Sequence, residues 1–150
     1  MQIIAHSPRF TLATAADAEF IYRLIEVTMR SYVEQVWGRF DEDRNRTHVA
    51  EAIAAGQYSI IALEHERVGA LCVERHPAYI QLSQLFILPE HQRQGIGTSI
   101  VRGLINEARD LKKPLRLRVL SVNPARRLYE REGFHITSTT PERVYMELHA

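Results

Sequence analysis

Between residues 79 and 119 the chain reads strand, proline stop, glycine-opened helix, second proline stop and strand, and this order constrains the fold more than any other stretch. Residues 79–88 are rich in aliphatic and aromatic side chains and end at Pro89. Residues 95–111 repeat Ile96, Ile100, Leu104, Ile105 and Ala108 at helical spacing until Pro114 breaks the pattern. Leu115-Arg116-Leu117-Arg118-Val119 then alternates strictly, as a half-buried strand does. A strand, a crossover helix and a second strand form a βαβ unit, which should be right-handed with its two strands parallel.

The remaining strands are joined by tight connections. Residues 9–12 form a short strand candidate, and Thr14-Ala15-Ala16-Asp17 reads as a helix start, with a hydroxyl for an orphan amide and a carboxylate at the positive end. Phe20, Ile21, Leu24, Ile25 and Thr28 predict a helix to about Ser31, followed by a polar bridge that holds Trp37 and Gly38. A second helix spans about 41–55 and ends at Gly56. Residues 58–63 and 68–75 flank Glu64-His65-Glu66 as a hairpin, and 79–88 continues the meander after His76-Pro77. A short helix at 125–131 closes on Gly133, and strands at 135–139 and 144–148 surround Pro141-Glu142. The expected fold is α+β, a mixed sheet of about six to seven strands flanked by about four helices, and not a doubly wound nucleotide fold.

With 150 residues and no repeat, linker or low-complexity tract, the chain is expected to form one domain over 1–150. A net charge of +1 gives no bulk electrostatic case for nucleic acid or for an anionic membrane. The longest apolar runs are of strand length, short of the roughly 20 residues a spanning helix needs. Residues 1–9 lack a basic segment followed by an apolar one, so they do not read as a secretion signal. Cys72 is the single cysteine, which excludes an internal disulfide, fits a reducing cytoplasm and, within Ala70-Leu71-Cys72-Val73, reads as packing.

Chemistry is concentrated in Gln92-Arg93-Gln94-Gly95-Ile96-Gly97, directly after a strand and opening a helix. Glycines let backbone approach a ligand closely, and the first helical turn offers unpaired amides at a positive dipole end, suited to a phosphate. No lysine followed by Ser or Thr completes a Walker loop, and neither the third glycine nor the acidic residue of the dinucleotide fingerprint is present. An ordinary glycine-rich turn also accounts for this loop taken alone.

The longer stretch Leu85-Phe86-Ile87-Leu88-Pro89-Glu90-His91-Gln92-Arg93-Gln94-Gly95-Ile96-Gly97-Thr98 resembles the central motif of the GNAT superfamily of acetyltransferases, an aliphatic strand end followed by Gln/Arg-x-x-Gly-x-Gly/Ala. Asn123-Pro124-Ala125-Arg126-Arg127-Leu128-Tyr129-Glu130-Arg131-Glu132-Gly133-Phe134 resembles the family's later motif, an Asn before a short helix with Leu-Tyr and a closing Gly-Phe. The two blocks stand in the family's order, separated by one helix and one strand, and the element order matches over almost the whole chain.

The resemblance implies acetyl-coenzyme A as acyl donor, with no metal. It places the pyrophosphate on the amides of Arg93, Gln94, Gly95, Ile96, Gly97 and Thr98, beside Gln92. It implies that the central parallel strands splay and that the pantetheine arm pairs with main-chain groups of Leu85 and Ile87, as an added strand would. The Ile87 amide would face the thioester oxygen, Asn123 would contact the pantetheine arm, and the Tyr129 hydroxyl would protonate the departing thiolate. Arg126 and Arg127 would either meet the adenine and 3′-phosphate region or form a solvated helix face.

The reaction implied is aminolysis of a thioester, and an alkylammonium of pKa about 10 must lose a proton before it attacks. Family members with an assigned base often carry Glu or His where this chain has Gln81 and Ser83, neither of which is a base at neutral pH. Glu74, His76 or a water chain ordered by Gln81, Ser83 and Gln84 are the alternatives. On the acceptor side, Trp37 offers either an apolar platform or a seal between the first helix and the sheet. Glu34, Asp41 and Glu42 offer either attraction for a cationic amine or ordinary caps and solvated charges. His48, His65, His91 and His149 show no metal-ligand spacing. Three functions remain open at this point: transfer to a primary amine of a small molecule, transfer to a protein N-terminus or lysine, and non-catalytic acyl-coenzyme A binding. A homodimer through sheet edges or the terminal strands is a further expectation.

Overall fold

Seven strands pair into one sheet in the order β1-β2-β3-β4-β5-β7-β6. In the computed structural model, which describes residues 7–149, they are β1 (Arg9–Leu12), β2 (Tyr58–Leu63), β3 (Glu66–Arg75), β4 (Ile80–Ile87), β5 (Leu115–Leu120), β6 (His135–Thr139) and β7 (Arg143–Leu148). Four helices flank them: α1 (Ala18–Trp37), α2 (Glu42–Ala54), α3 (Ile96–Asp110) and α4 (Arg126–Arg131). The absence of a secretion signal, inferred from residues 1–9, concerns for residues 1–6 a segment outside the described residues. Among the described residues, no helix is long and apolar enough to cross a membrane.

β4 and β5 are the parallel pair that the crossover through α3 requires, and every other strand pair is antiparallel. The sheet is covered on both faces. One core joins Ile21, Leu24 and Val49 of α1 and α2 to Ile60, Ala70, Cys72 and Phe86. The other joins Ile100, Val101 and Leu104 of α3 and Tyr129 of α4 to Val68, Leu82, Leu117 and Met146. β3 lies inside the sheet, between β2 and β4, and is buried from Val68 to Val73, which explains an apolar run there in place of alternation.

Two features differ from the sequence expectation. α1 does not stop near Ser31 but continues to Trp37, where Gly38 at φ +85° donates its amide to the Glu34 carbonyl at 2.9 Å. Met29 and Val33 extend the apolar stripe of Ile25, while Arg30, bonded to Glu34 on the outer side, gives this stretch the polar look of a bridge. Trp37 therefore stands on the last turn of a helix. At the other end, Asp17 accepts from the Thr14 amide at 2.8 Å, and a single 3-10 turn (Ala15–Asp17) precedes α1.

The register of β4 positions everything that follows. Cys72 faces Gln84 and Val73 faces Leu82, so Ser83 is an extra residue, a bulge on β4. On its other side β4 pairs with β5 only through Ile80, Gln81 and Leu82 against Leu115, Arg116 and Leu117. Past the bulge the two strands are unpaired, and the sheet is open between them.

Gly69 lets β3 approach the far end of β4. A Cβ there would run into the Phe86 carbonyl oxygen, whereas Gly103, on the exposed side of α3, faces open space. Gly69→Ala is therefore expected to lower stability in urea denaturation by about 1–3 kcal/mol. Gly103→Ala, measured beside it, is expected to raise stability by about 0.5–1 kcal/mol, since it removes the entropic cost of a mid-helix glycine.

Candidate functional site

The opening between β4 and β5 exposes main chain. Leu88 donates its amide to the Val68 carbonyl at 2.8 Å, and peptide groups alternate sides along a strand. The amides and carbonyls of Leu85 and Ile87 therefore turn away from β3, toward the side from which β5 has diverged. The Ile87 carbonyl accepts from Gln92 Nε2 at 2.9 Å, so the Gln92 side chain ties the following loop to the strand. The other groups on this edge are an unfinished ladder that fits an extended amide-bearing chain.

The loop from Gln92 to α3 turns through two left-handed residues, Arg93 at φ +63° and Gly95 at φ +82°. Among the described residues, no main-chain carbonyl accepts from the amides of residues 93–98, and the α3 bonding pattern begins with Ser99 donating to Gly95 at 3.0 Å. Gln94 Nε2 donates to the Glu90 carbonyl at 3.3 Å. Ile96 is buried in the core, and Thr98 is half-buried. Open amides at the positive end of a 15-residue helix suit a phosphate group. α4 packs nearby, with a Cβ at Gly97 lying 3.5 Å from Leu128 Cδ2. Arg126 pairs with Glu130 at 3.4 Å, and neither Arg93 nor Arg127 has a carboxylate partner among the described residues.

Two cavities of about 700 and 680 Å³ share Asn45, His48, Ser83, Gln84 and Arg118, and so form one cleft. One part, with Trp37 at its rim, is lined by Met29, Val33 and Trp37 of α1, by Leu85 and Val119 at the divergent strands, and by Asn123 and Tyr129. Since α1 and α4 cover opposite faces, this part of the cleft passes through the sheet. The second part holds Glu74, Tyr79, Gln81 and Tyr145. None of residues 92–98 lines either cavity; the loop lies on the surface next to them.

Tyr129 is 6% exposed and meets Phe134 edge-on, with ring centroids 5.7 Å apart. Burial pushes its phenol up to about 12, so it holds its proton throughout the neutral range and acts as a donor. Its hydroxyl makes no hydrogen bond among the described residues. Asn123 organises the approach to α4, its Oδ1 accepting from the Ala125 amide at 2.9 Å while its Nδ2 points to Met29 Sδ at 3.8 Å.

At the second part the bulged Ser83 donates its hydroxyl to Glu74 Oε2 at 2.6 Å, and His76 Nε2 lies 3.2 Å from Glu74 Oε1. His76 stacks on Tyr79 at 4.5 Å, and Gln81 stands opposite Glu74 in the ladder. Trp37 is 50% exposed at the rim, with the Arg143 guanidinium 5.6 Å above its ring, so it does not seal α1 against the sheet. The acidic residues near the α1–α2 connection are occupied: Glu34 pairs with Arg30, Asp41 caps α2 and pairs with Arg39, and Glu42 accepts from the Tyr22 hydroxyl.

Sequence reading did not single out Arg118, Asn45 or Tyr145, and weighed His48 only as a metal ligand. The available signal was the outward side of the Leu115–Leu120 alternation, which carries Arg116 and Arg118. It also did not bring together His135, Glu147 and His149, whose ligand atoms lie within 4.8 Å because strand pairing sets His135 opposite Glu147. The Glu147 carboxylate there pairs with Arg116 and with His149, each at 2.6 Å, and hydrogen bonding from Arg116 holds it below the usual carboxylate range.

Cys72 lines the second part of the cleft but is 3% exposed, and burial together with the nearby Glu74 carboxylate pushes its thiol up to about 12. Its reaction with a thiol-titrating disulfide near pH 8 is expected to be on the order of a thousandfold slower in the native protein than in urea. Comparable rates in the two states would show that the thiol is accessible.

A family model described as "Acetyltransferase (GNAT) domain" matches residues 28–148. Among curated proteins, none matches the sequence significantly. Among solved structures, an acetyltransferase from Thermus thermophilus superposes with a TM-score of 0.78 at 18% identity, over 97% of this chain and 99% of that one. The PaiA N-acetyltransferase from Thermoplasma acidophilum, in complex with coenzyme A, gives 0.70 at 18% identity, over 96% and 99%. Arabidopsis thaliana Naa50, in complex with the bisubstrate analogue CoA-Ac-MVNAL, gives 0.71 at 18% identity, over 96% and 99%. At these identities the likeness is one of fold.

Proposed function

Because the chain belongs to the GNAT acetyltransferase family and is an acyltransferase, we propose that it moves the acetyl group of acetyl-coenzyme A to a primary amine of a small molecule, by direct attack within a ternary complex. The observation that carries this reading is the unpaired edge of β4 past Leu82, which adjoins a helix start with unbonded amides. We take residues 1–150 as one catalytic domain that works in the cytoplasm.

Acetyl-coenzyme A supplies an activated acyl group as a thioester. Leu85 and Ile87 bind the pantetheine arm through main-chain groups, and the amides of residues 93–98 bind the pyrophosphate. The Ile87 amide stabilises negative charge that develops on the thioester oxygen. The amine nitrogen forms a bond to the carbonyl carbon, the carbon–sulfur bond breaks, and Tyr129 gives its proton to the sulfur. Glu74, with Ser83 bonded to it at the bulge, takes the proton that the amine loses, relayed by water ordered along Ser83 and Gln84. The Gln81 and Ser83 positions lack a base, so this role falls to the carboxylate on the neighbouring strand.

Calorimetric titration with coenzyme A and thiol release from acetyl-coenzyme A, across panels of small amines and peptides, tests the reading. Tyr129→Phe is expected to keep coenzyme A affinity and lose on the order of 100-fold in kcat, and Glu74→Gln to lower kcat. Turnover of peptides alone would replace the small amine with a protein acceptor. Binding without any turnover would leave an acyl-coenzyme A-binding module, and absence of binding would overturn the assignment of the cleft.

A further inference from the structure

The cleft carries more positive charge than its own carboxylates balance. Its lining includes five arginines, Arg39, Arg44, Arg116, Arg118 and Arg143, and three carboxylates, Asp41, Glu74 and Glu147. Each carboxylate is engaged. Asp41 binds Arg39 and the Arg44 amide, Glu147 binds Arg116 and His149, and Glu74 binds Ser83 and lies beside His76. Arg39 and Arg116 are thereby neutralised. Arg44, Arg118 and Arg143 have no carboxylate within ion-pair distance among the described residues.

These three guanidinium groups come from separate elements, the first turn of α2, the middle of β5 and the start of β7. Arg118 lines both parts of the cleft, at the point where β5 has left β4. Arg143 lies over Trp37 at the rim. An acceptor whose only charge is its ammonium would be repelled here, as would a polyamine, since several unpaired positive charges in a walled cleft reinforce one another. A carboxylate or phosphate on the acceptor would meet a planar guanidinium able to bind it through two parallel hydrogen bonds.

Resting on the acetyl-transfer reading above, we propose that the acceptor is an amine that also carries an anionic group, and that Arg118 is the anchor for that group, with Arg44 and Arg143 strengthening the field. Arg118 is then a specificity-determining residue. It sets the anion at the junction of the two cavities.

The test compares amino acids, aminoalkyl phosphates, the corresponding amides or alcohols, and polyamines as acceptors. The two anionic series separate carboxylate from phosphate as the source. Anionic acceptors are expected to exceed their uncharged counterparts in kcat/KM. Arg118→Gln should cut that ratio at least about tenfold through KM, with partial recovery in Arg118→Lys. The dissociation constant for coenzyme A should stay the same in both variants. A readout without turnover is titration of coenzyme A-saturated protein with N-acetylated product anions, whose affinity should fall in Arg118→Gln. Preference for polyamines or uncharged amines, or a parallel loss of coenzyme A affinity in Arg118→Gln, would overturn this proposal while leaving acetyl transfer intact. Loss of coenzyme A binding by the unmodified protein would instead remove the reading beneath it.

Discussion

The geometry of the cleft depends on one surplus residue. Ser83 has no counterpart on β3, and the bulge it makes bends β4 at the point where its parallel pairing with β5 ends. Without it, backbone pairing would continue and the edge groups of Leu85 and Ile87 would be consumed by β5. The same residue turns its hydroxyl to Glu74, so one insertion both opens the sheet and orients a carboxylate of the cleft that no arginine pairs with among the described residues.

Most of the architecture was legible because the chain is well punctuated. Pro89 and Pro114 bound the crossover, Gly56 and Gly133 close helices, and the strand limits agree with the sequence expectation to within about two residues. The end of α1 was misread, since an amphipathic helix whose outer side carries Arg30, Ser31, Glu34 and Gln35 looks like a loop when only its first half is scanned for apolar spacing. The loop at 92–98 was read from its glycines after a strand, while the role of Tyr129 came from motif resemblance alone.

What stayed hidden is what depends on register or on neighbours far away in the chain. A bulge is a mismatch between two strands, and neither strand carries it alone. Whether a charge is free is likewise a property of its surroundings. Arg116 and Arg118 are two residues apart on the same side of β5, yet Glu147 neutralises the first and leaves the second unpaired. In the sequence, Glu34, Asp41 and Glu42 read either as attraction for a cationic amine or as caps and solvated charges; in the fold Arg30, Arg39 and the Tyr22 hydroxyl are their partners.

The short junction between β4 and β5 also has a mechanical side. With three register pairs, it is the narrowest seam in the sheet, and it divides β1-β2-β3-β4 from β5-β7-β6. Local opening follows the path that breaks the fewest backbone bonds, and this seam is where the sheet has fewest to break. An extended molecule lying in the gap would supply the missing rungs and act as a splint between the two halves.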